Sequence, residues 1–144
     1  MDDIREIDFQ RRIISDEGYE PFKIVFYYNG KNVLFGFNAH GETGFSQYGL
    51  DIVAAGVSTL IINTINSLRL LTNEPVEAEI KRNYAKCILP NLRNNKLSKE
   101  AHILLKSLKM GIESIQENYG EKYVLIEELR EENKGSIFNI FKLP

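Results

Sequence analysis

A helical pattern over residues 51–71, with a pair of strand-like segments on either side of it, limits the folds open to this 144-residue chain. Before the helix, residues 22–28 and 32–39 are rich in aromatic and branched side chains, which favour strands. After it, residues 76–80 and 84–89 predict a second pair of strands. Asn29-Gly30 between the first two segments is a strong signal for a hairpin.

Both predicted helices have identifiable ends. Asp51 is expected to cap the first helix, because its carboxylate can accept the free N–H groups of the opening turn. Apolar residues lie on most sides of this helix, so we expect it to be deeply buried, with Gly56 allowing a close approach to its neighbour. A second amphipathic helix is predicted from Ser98 to about Gly120, and residues 123–126 complete the pattern as a short strand.

The order β-β-α-β-β-α-β predicts an α+β fold. We expect a two-layer sandwich in which two helices pack on one mixed or antiparallel sheet. A single domain at residues 22–127 would carry an N-terminal appendage, residues 1–21, and a C-terminal tail, residues 128–144. The tail contains four large apolar residues that a free segment would expose to water, so we expect it to dock on its own domain or on a partner: Ile137, Phe138, Ile140 and Phe141.

Composition argues against several classes of function. With 18 basic and 20 acidic residues the formal net charge is −2, so no overall field attracts nucleic acid or an anionic membrane. Cys87 is the only cysteine, which rules out an internal disulfide and favours a reducing, cytoplasmic location. We expect no signal peptide and no apolar run near the ~18 residues of a spanning helix. The two histidines and unclustered carboxylates predict neither a metal nor an organic cofactor.

Residues 39–58, AHGETGFSQYGLDIVAAGVS, place His40 in a glycine-rich loop, residues 40–50, directly before the first helix. Position 54 is expected in the first helical turn, where the helix dipole would lower the pKa of a thiol from about 8.5 towards neutrality. Asp51, Ala54 and Ser58 are spaced to share one helical face. Taken singly, each has an ordinary interpretation: Asp51 as a cap, Ser58 as a small residue bonded to its helix, and His40 as a loop histidine.

Together these residues resemble the ribosomal-processing cysteine protease (Prp) family. The family pattern is a histidine-glycine, a short glycine-bearing loop and then G-x-D-I-V-C-A-x-x-S. In this chain it stands as His40-Gly41, Gly44, Gly49 and the run Asp51-Ile52-Val53-Ala54-Ala55-Gly56-Val57-Ser58. The predicted order of strands and helices over residues 22–127 agrees with the fold of that family.

The resemblance implies a Cys-His dyad, with His40 as the general base and position 54 as the nucleophile. Asp51 and Ser58 would support the site, helix N-terminal amides would stabilise the oxyanion, and a loop containing Gly41, Gly44 and Gly49 would gate substrate. The implied reaction is removal of an N-terminal extension from a large-subunit bacterial ribosomal protein, or cleavage of a phage protein. A homodimer without cofactor, nucleic acid or membrane is also implied.

Ala54 departs from the pattern at the position where the chemistry requires a thiol. Alanine has no ionisable group, so no thiolate and no acyl-enzyme can form. Two origins stay open: a substitution made to trap substrate or prevent self-damage, and a natural pseudoprotease. Cys87 is expected to be buried within a strand, Ser58 lies about one turn too far along the helix, and His102 is expected to be structural or solvated, so we expect none of them to take over the chemistry.

Three functions therefore remain as hypotheses. The first is a cysteine endopeptidase of this family inactivated at Ala54, which the retained His40, Gly41, Asp51 and Ser58 favour. The second is a non-catalytic pseudoprotease that binds an extended ribosomal or phage-derived peptide. The third is a structural subunit of a larger assembly, suggested by the apolar C-terminal tail.

Overall fold

The fold was obtained as a computed structural model, which describes residues 21–41 and 48–132. Over these residues the chain forms five strands and three helices. The strands are β1 (Phe22–Tyr28), β2 (Leu34–His40), β3 (Glu77–Lys81), β4 (Tyr84–Ile88) and β5 (Val124–Arg130). The helices are α1 (Tyr48–Leu71), α2 (Pro90–Arg93) and α3 (Lys99–Tyr119).

The strands form one mixed sheet in the order β3-β4-β2-β1-β5. All neighbouring strands are antiparallel except β1 and β5, which are parallel. A parallel neighbour requires a crossover, and the chain reaches β5 from α3, which packs against both β5 and β2. The predicted α+β class is therefore confirmed.

The hydrophobic core lies between the sheet and the two long helices. Successive side chains in a strand alternate between the two faces, and on β1 and β2 the alternate residues Ile24, Phe26, Phe37 and Ala39 are buried in the same cluster as the inner faces of α1 and α3. That cluster contains Val53, Val57, Ile61, Ile65 and Leu68 of α1 and Leu105, Leu108 and Ile112 of α3.

The two helices approach each other closely where they cross. A Cβ placed on Gly56 would lie 3.2 Å from Ile115 Cδ1, and one on Gly111 would lie 2.8 Å from Leu60 Cδ1. The close approach predicted at Gly56 is therefore confirmed, and α3 contributes a matching glycine that the sequence analysis did not single out.

Helix α1 is less buried than its sequence predicted. Ile52 is 57% exposed and Leu70 is 80% exposed, so only one face of the helix packs on the core and the expectation of deep burial was wrong. The expectation that no apolar run approaches spanning length was also wrong, because Ile52–Leu71 is long and apolar enough by length and composition. The core helix of a soluble protein passes the same test, and here the buried side of α1 belongs to the core cluster.

The ends of the later elements agree with the sequence in part. Helix α3 starts where it was predicted to start, with Ser98 as its N-cap: the Ser98 Oγ accepts a hydrogen bond from the Ala101 N–H at 3.3 Å, and the helix ends before Gly120. Helix α2 was not predicted; its first residue is Pro90, a position that suits proline because that N–H needs no helical partner. Strand β5 continues to Arg130, beyond the predicted end at 126 and the domain boundary placed at 127.

Asn29 connects the β1–β2 loop to α2. This residue is 4% exposed, and its side-chain oxygen accepts hydrogen bonds from the N–H groups of Lys31 and Val33 at 2.8 and 3.0 Å. Its amide nitrogen lies within hydrogen-bonding distance of three acceptors, Leu92 O at 3.2 Å, Arg93 O at 3.2 Å and Asn95 Oδ1 at 2.8 Å, and its two N–H groups are shared among them. The sequence analysis treated Asn29 as a turn residue only, whereas its side chain joins segments more than 60 positions apart.

Candidate active site

His40 is the last residue of β2 and its side chain is exposed. It lies between Lys23 of β1 and Tyr84 of β4 in the sheet register. Strand alternation directs His40 to the face opposite that of its buried neighbour Ala39, and therefore away from the layer formed by α1 and α3. The prediction of a loop starting at His40 was wrong by one residue, because the strand includes it.

Gly41 follows directly and has a clear structural requirement. Its N–H donates to Asn83 O at 3.1 Å, which extends the pairing with the β3–β4 turn. A Cβ on Gly41 would lie 2.5 Å from Cε1 of the Phe22 ring, closer than real Cβ contacts. The glycine of the His-Gly motif therefore leaves room for an aromatic ring from β1. The sequence analysis missed Phe22 as part of this site, because only the strand register brings it beside Gly41.

Ala54 lies on α1, but not in its first turn. The helix begins at Tyr48, which makes Ala54 its seventh residue. The free N–H groups of a helix belong to its first four residues, and the effect of the dipole falls off within the first turn. The predicted lowering of a thiol pKa by the helix N-terminus is therefore weaker than expected, and so is the role of these amides as oxyanion donors. The Cα–Cβ bond of residue 54 still tilts towards the helix N-terminus, as in every α-helix.

The supporting residues of the motif are placed only in part. Asp51 lies inside α1, three residues after its start, so the predicted N-cap was wrong. Gly49 is also helical, although its residue type favoured a loop. Ser58 is exposed, one turn along α1 from half-buried Ala54. The side chain of Asp51, together with Gly44 and the rest of residues 42–47, lies outside the described part of the chain.

The described residues do not by themselves bring the dyad together. His40 ends β2 on the open side of the sheet, whereas Ala54 belongs to the helix layer. The segment 42–47, which joins the two elements, lies outside the description. The pairing of His40 with position 54 therefore stays a prediction that rests on the motif.

Neither alternative reactive residue is suited to replace the nucleophile. Cys87 is fully buried in β4, and burial raises the pKa of its thiol to about 12, with Arg69 opposing this only weakly. A thiol with such a pKa holds almost no thiolate at neutral pH, so the prediction of a buried structural cysteine is confirmed. His102 lies half-buried on α3, where burial and then the positive charge of Lys106 lower its pKa. In the described ranges, no three His, Cys, Asp or Glu residues form a group that could hold a metal ion.

Two comparisons of the sequence with known proteins indicate the same family. Residues 22–124 match the family model described as cysteine protease Prp. The chain is 28% identical over 81 residues to the ribosomal processing cysteine protease Prp of Staphylococcus aureus, an alignment that covers 56% of this chain and 74% of that protein.

Solved structures share the fold. The crystal structure of SMU.848 from Streptococcus mutans is 26% identical and superposes with a TM-score of 0.68, covering 80% of this chain and 98% of that one. An essential ribosomal processing protease Prp from S. aureus, crystallised in complex with a substrate peptide, is 19% identical with a TM-score of 0.65, covering 74% and 98% of the two chains. The family match spans the whole sheet up to the start of β5, both long helices and the His40–Ser58 motif, and this chain belongs to the cysteine protease Prp family.

Proposed function

We propose that this chain is a cysteine endopeptidase of the type that removes the N-terminal extension of a large-subunit bacterial ribosomal protein, inactivated by alanine at its nucleophile position. The observation that carries the proposal is Ala54 within the otherwise matching run of residues 49–58. Relatives named as ribosomal processing proteases support the reaction class, and a relative crystallised with a substrate peptide supports a peptide as the ligand.

The chemistry proposed for an active site of this kind needs a thiolate and a base. His40 would take the proton from a thiol at position 54, and the thiolate would attack the scissile carbonyl to form a thioester with the N-terminal fragment. The amine of the C-terminal fragment would leave with a proton, and water would then release the first fragment. Without the thiol, the first bond cannot form, so we expect the chain to bind the peptide and leave it intact.

The proposed role of His40 requires its side chain to change direction. For His40 to act as base, its exposed imidazole has to turn from the open face of the sheet towards α1, at the end of the strand where the loop 42–47 begins. We propose that bound peptide and this loop, which contains Gly44, favour that arrangement as a substrate-gated lid, with Asp51 and Ser58 supporting the helix side.

The test is peptide cleavage by the chain as given and by Ala54→Cys. The substrate is the N-terminal extension of a large-subunit ribosomal protein with apolar and aromatic residues before the cut, and the readout is mass spectrometry of the products. Ala55→Cys is the matched control, because it places an exposed thiol on the next residue of α1, about 100° further round the helix. Adding His40→Ala to Ala54→Cys tests the base.

Each outcome separates the hypotheses. Cleavage by Ala54→Cys alone, lost on adding His40→Ala, would support an inactivated protease with His40 as its base. Peptide binding by both forms without cleavage by either would favour the non-catalytic pseudoprotease, which holds an extended ribosomal or phage-derived segment. If neither form binds the extension peptide, the proposed substrate is wrong.

We also propose that the chain is a cytoplasmic homodimer. Helix α1 exposes large apolar residues on its outer face, Ile52 and Ile62 among them, which a second copy could cover. Sedimentation equilibrium of the chain, of Ile62→Asp and of Asn63→Asp tests this, because the second change adds the same charge at a neighbouring exposed polar position. Dissociation by Ile62→Asp alone is expected; a monomeric parent chain would contradict the proposal.

The proposed cytoplasmic location is tested by cell fractionation. It is favoured by the single thiol, Cys87, which is buried and unpaired, as expected in a reducing compartment.

A further inference from the structure

The sheet carries a groove on the face opposite α1 and α3. Its volume is about 520 Å³, and its apolar lining comes from Tyr27, Ala78 and Ile88, together with Phe35 and Leu129, which are only 2% and 8% exposed. The Tyr27 and Phe35 rings stack with their centroids 5.9 Å apart, where the β1–β2 register shifts between Tyr27 and Tyr28. Gly36 allows the Ile88 side chain to lie directly against β2, because a Cβ there would lie 2.5 Å from Cys87 O and 2.9 Å from Ile88 Cδ1. A groove of this size with an aromatic wall fits a few large apolar side chains.

The groove begins far from His40 and extends towards it. Phe35 precedes His40 by five residues in β2, a distance of roughly 17 Å along a strand. Lys86, which also lines the groove, pairs with Asn38, two residues before His40. The part of the groove that is distant from the proposed catalytic residue is therefore the end beside Phe35 and Leu129, where β1 and β5 finish.

The chain leaves β5 at the rim of this groove. The Glu131 N–H donates to Tyr28 O at 2.8 Å, and the Glu131 carboxylate pairs with the Arg93 guanidinium. Arg93 in turn lies over the Phe35 ring, 5.1 Å from its centroid, and both Arg93 and Glu131 line the groove. The position and direction of the chain at residue 131 are thus fixed beside the apolar surface.

The residues that follow have the composition and the reach to fill it. Residues 133–144, NKGSIFNIFKLP, lie outside the described ranges and contain Ile137, Phe138, Ile140 and Phe141. Ile137 is six residues after Glu131, so an extended chain brings it up to about 20 Å from the rim. Five strands span roughly 19 Å, so the apolar run can lie anywhere across the groove.

Charge is compatible with the same occupant. Arg93 pairs with Glu131, and the other charged residues that line the groove are two carboxylates, Glu77 and Glu79, and one cation, Lys86. Residues 133–144 contain two lysines, Lys134 and Lys142, and no acidic residue. Residues 1–21 are a poorer candidate, because they join β1 at its opposite end and carry many acidic side chains. We propose that residues 136–142 of the C-terminal segment dock in this groove, with their apolar side chains against Tyr27, Phe35 and Ile88. The inference does not depend on the proposed peptidase function.

The test uses the full-length chain with a nitroxide on Ser136→Cys. Buried Cys87 should not take up the label, and the parent chain treated in the same way checks this. The readout is paramagnetic broadening of backbone amides in the groove, at Gly36 and Ile88, compared with Lys23 at the other end of the sheet. Phe138→Asp should reduce the broadening at Gly36 several-fold, whereas Asn139→Asp, with the same added charge on a polar neighbour, should leave it unchanged.

Two results would overturn the proposal. The first is broadening at Gly36 that Phe138→Asp does not change, because the label would then be near the groove only through its short tether to β5. The second comes from mixing ¹⁵N chain without nitroxide with ¹⁴N chain that carries it. Broadening at Gly36 in this mixture as strong as in the sample where one chain carries both labels would identify the tail of a second copy as the occupant. Intramolecular broadening that depends on Phe138 supports it.

Discussion

Replacing Asn29 with alanine should destabilise the fold by about 3 kcal/mol. The side-chain oxygen accepts two hydrogen bonds within the β1–β2 loop, and the two N–H groups serve three acceptors at the end of α2. Two accepted bonds and two N–H groups amount to four full bonds, so at roughly 1 kcal/mol net for each the upper figure is about 4 kcal/mol. Water can reach most of the partners, since only the bond to Leu92 O is fully buried, and this recovers part of the loss.

The assay is urea unfolding followed by far-UV circular dichroism, because the chain has no tryptophan. Asn94→Ala is the matched control: it deletes the same group from an exposed asparagine next to α2 and should change stability by less than about 0.5 kcal/mol. Asn29→Asp should be at least as harmful as alanine, because a carboxylate would face the carbonyl oxygens that the amide now bonds. A loss below about 1 kcal/mol for Asn29→Ala would refute the idea that this side chain joins the two segments.

Three further predictions concern a thiol, a glycine and a carboxylate. Ellman's reagent should leave Cys87 unmodified in the native chain and react with one thiol per chain in urea, because burial raises its pKa to about 12; rapid native reaction would contradict this. Gly41→Ala should cost about 1–3 kcal/mol in urea unfolding through its clash with the Phe22 ring, and adding Phe22→Ala should recover part of that loss. The hydrogen bond from Lys109 lowers the pKa of Glu128, so its contribution is present above the unfolded carboxyl pKa near 4.5 and is lost as pH falls through the lower folded value. Lys109→Met should therefore cost no more than about 1 kcal/mol at pH 7, given the exposure of the pair, and should flatten the loss of stability in acid; an unchanged acid slope would contradict the assignment.

The regular elements could be predicted because their signals are local. The two strand pairs follow from runs of branched and aromatic residues, and α3 follows from its apolar spacing and the Ser98 cap. Helix α2 was missed because a helix of four residues is too short to show a repeating spacing of apolar residues. The start of α1 was placed late because Gly49 favours a loop on its own, whereas the helix extends through it to Tyr48.

In the candidate site, too, the local features could be predicted and the features that depend on distant residues could not. The motif formed by His40-Gly41, Gly44 and residues 49–58 was enough to indicate the family, even with Ala54 at the nucleophile position, since a motif is a local property. The ring of Phe22 beside Gly41 and the direction of His40 depend on the register of β1, β2 and β4, which pairs residues far apart in sequence. The groove beside Phe35 lies where that register is irregular, and such an irregularity leaves no periodic signal in the sequence.

The most direct test of the central claim, that a missing thiol at position 54 inactivates this chain, is intact-mass analysis of Ala54→Cys quenched in acid shortly after mixing with the extension peptide. We predict a mass increase equal to that of the free N-terminal fragment minus one water, because the fragment is held as a thioester on the introduced cysteine, with no such adduct on the parent chain or on Ala55→Cys. A folded Ala54→Cys chain that binds the peptide and forms neither adduct nor product would contradict the account.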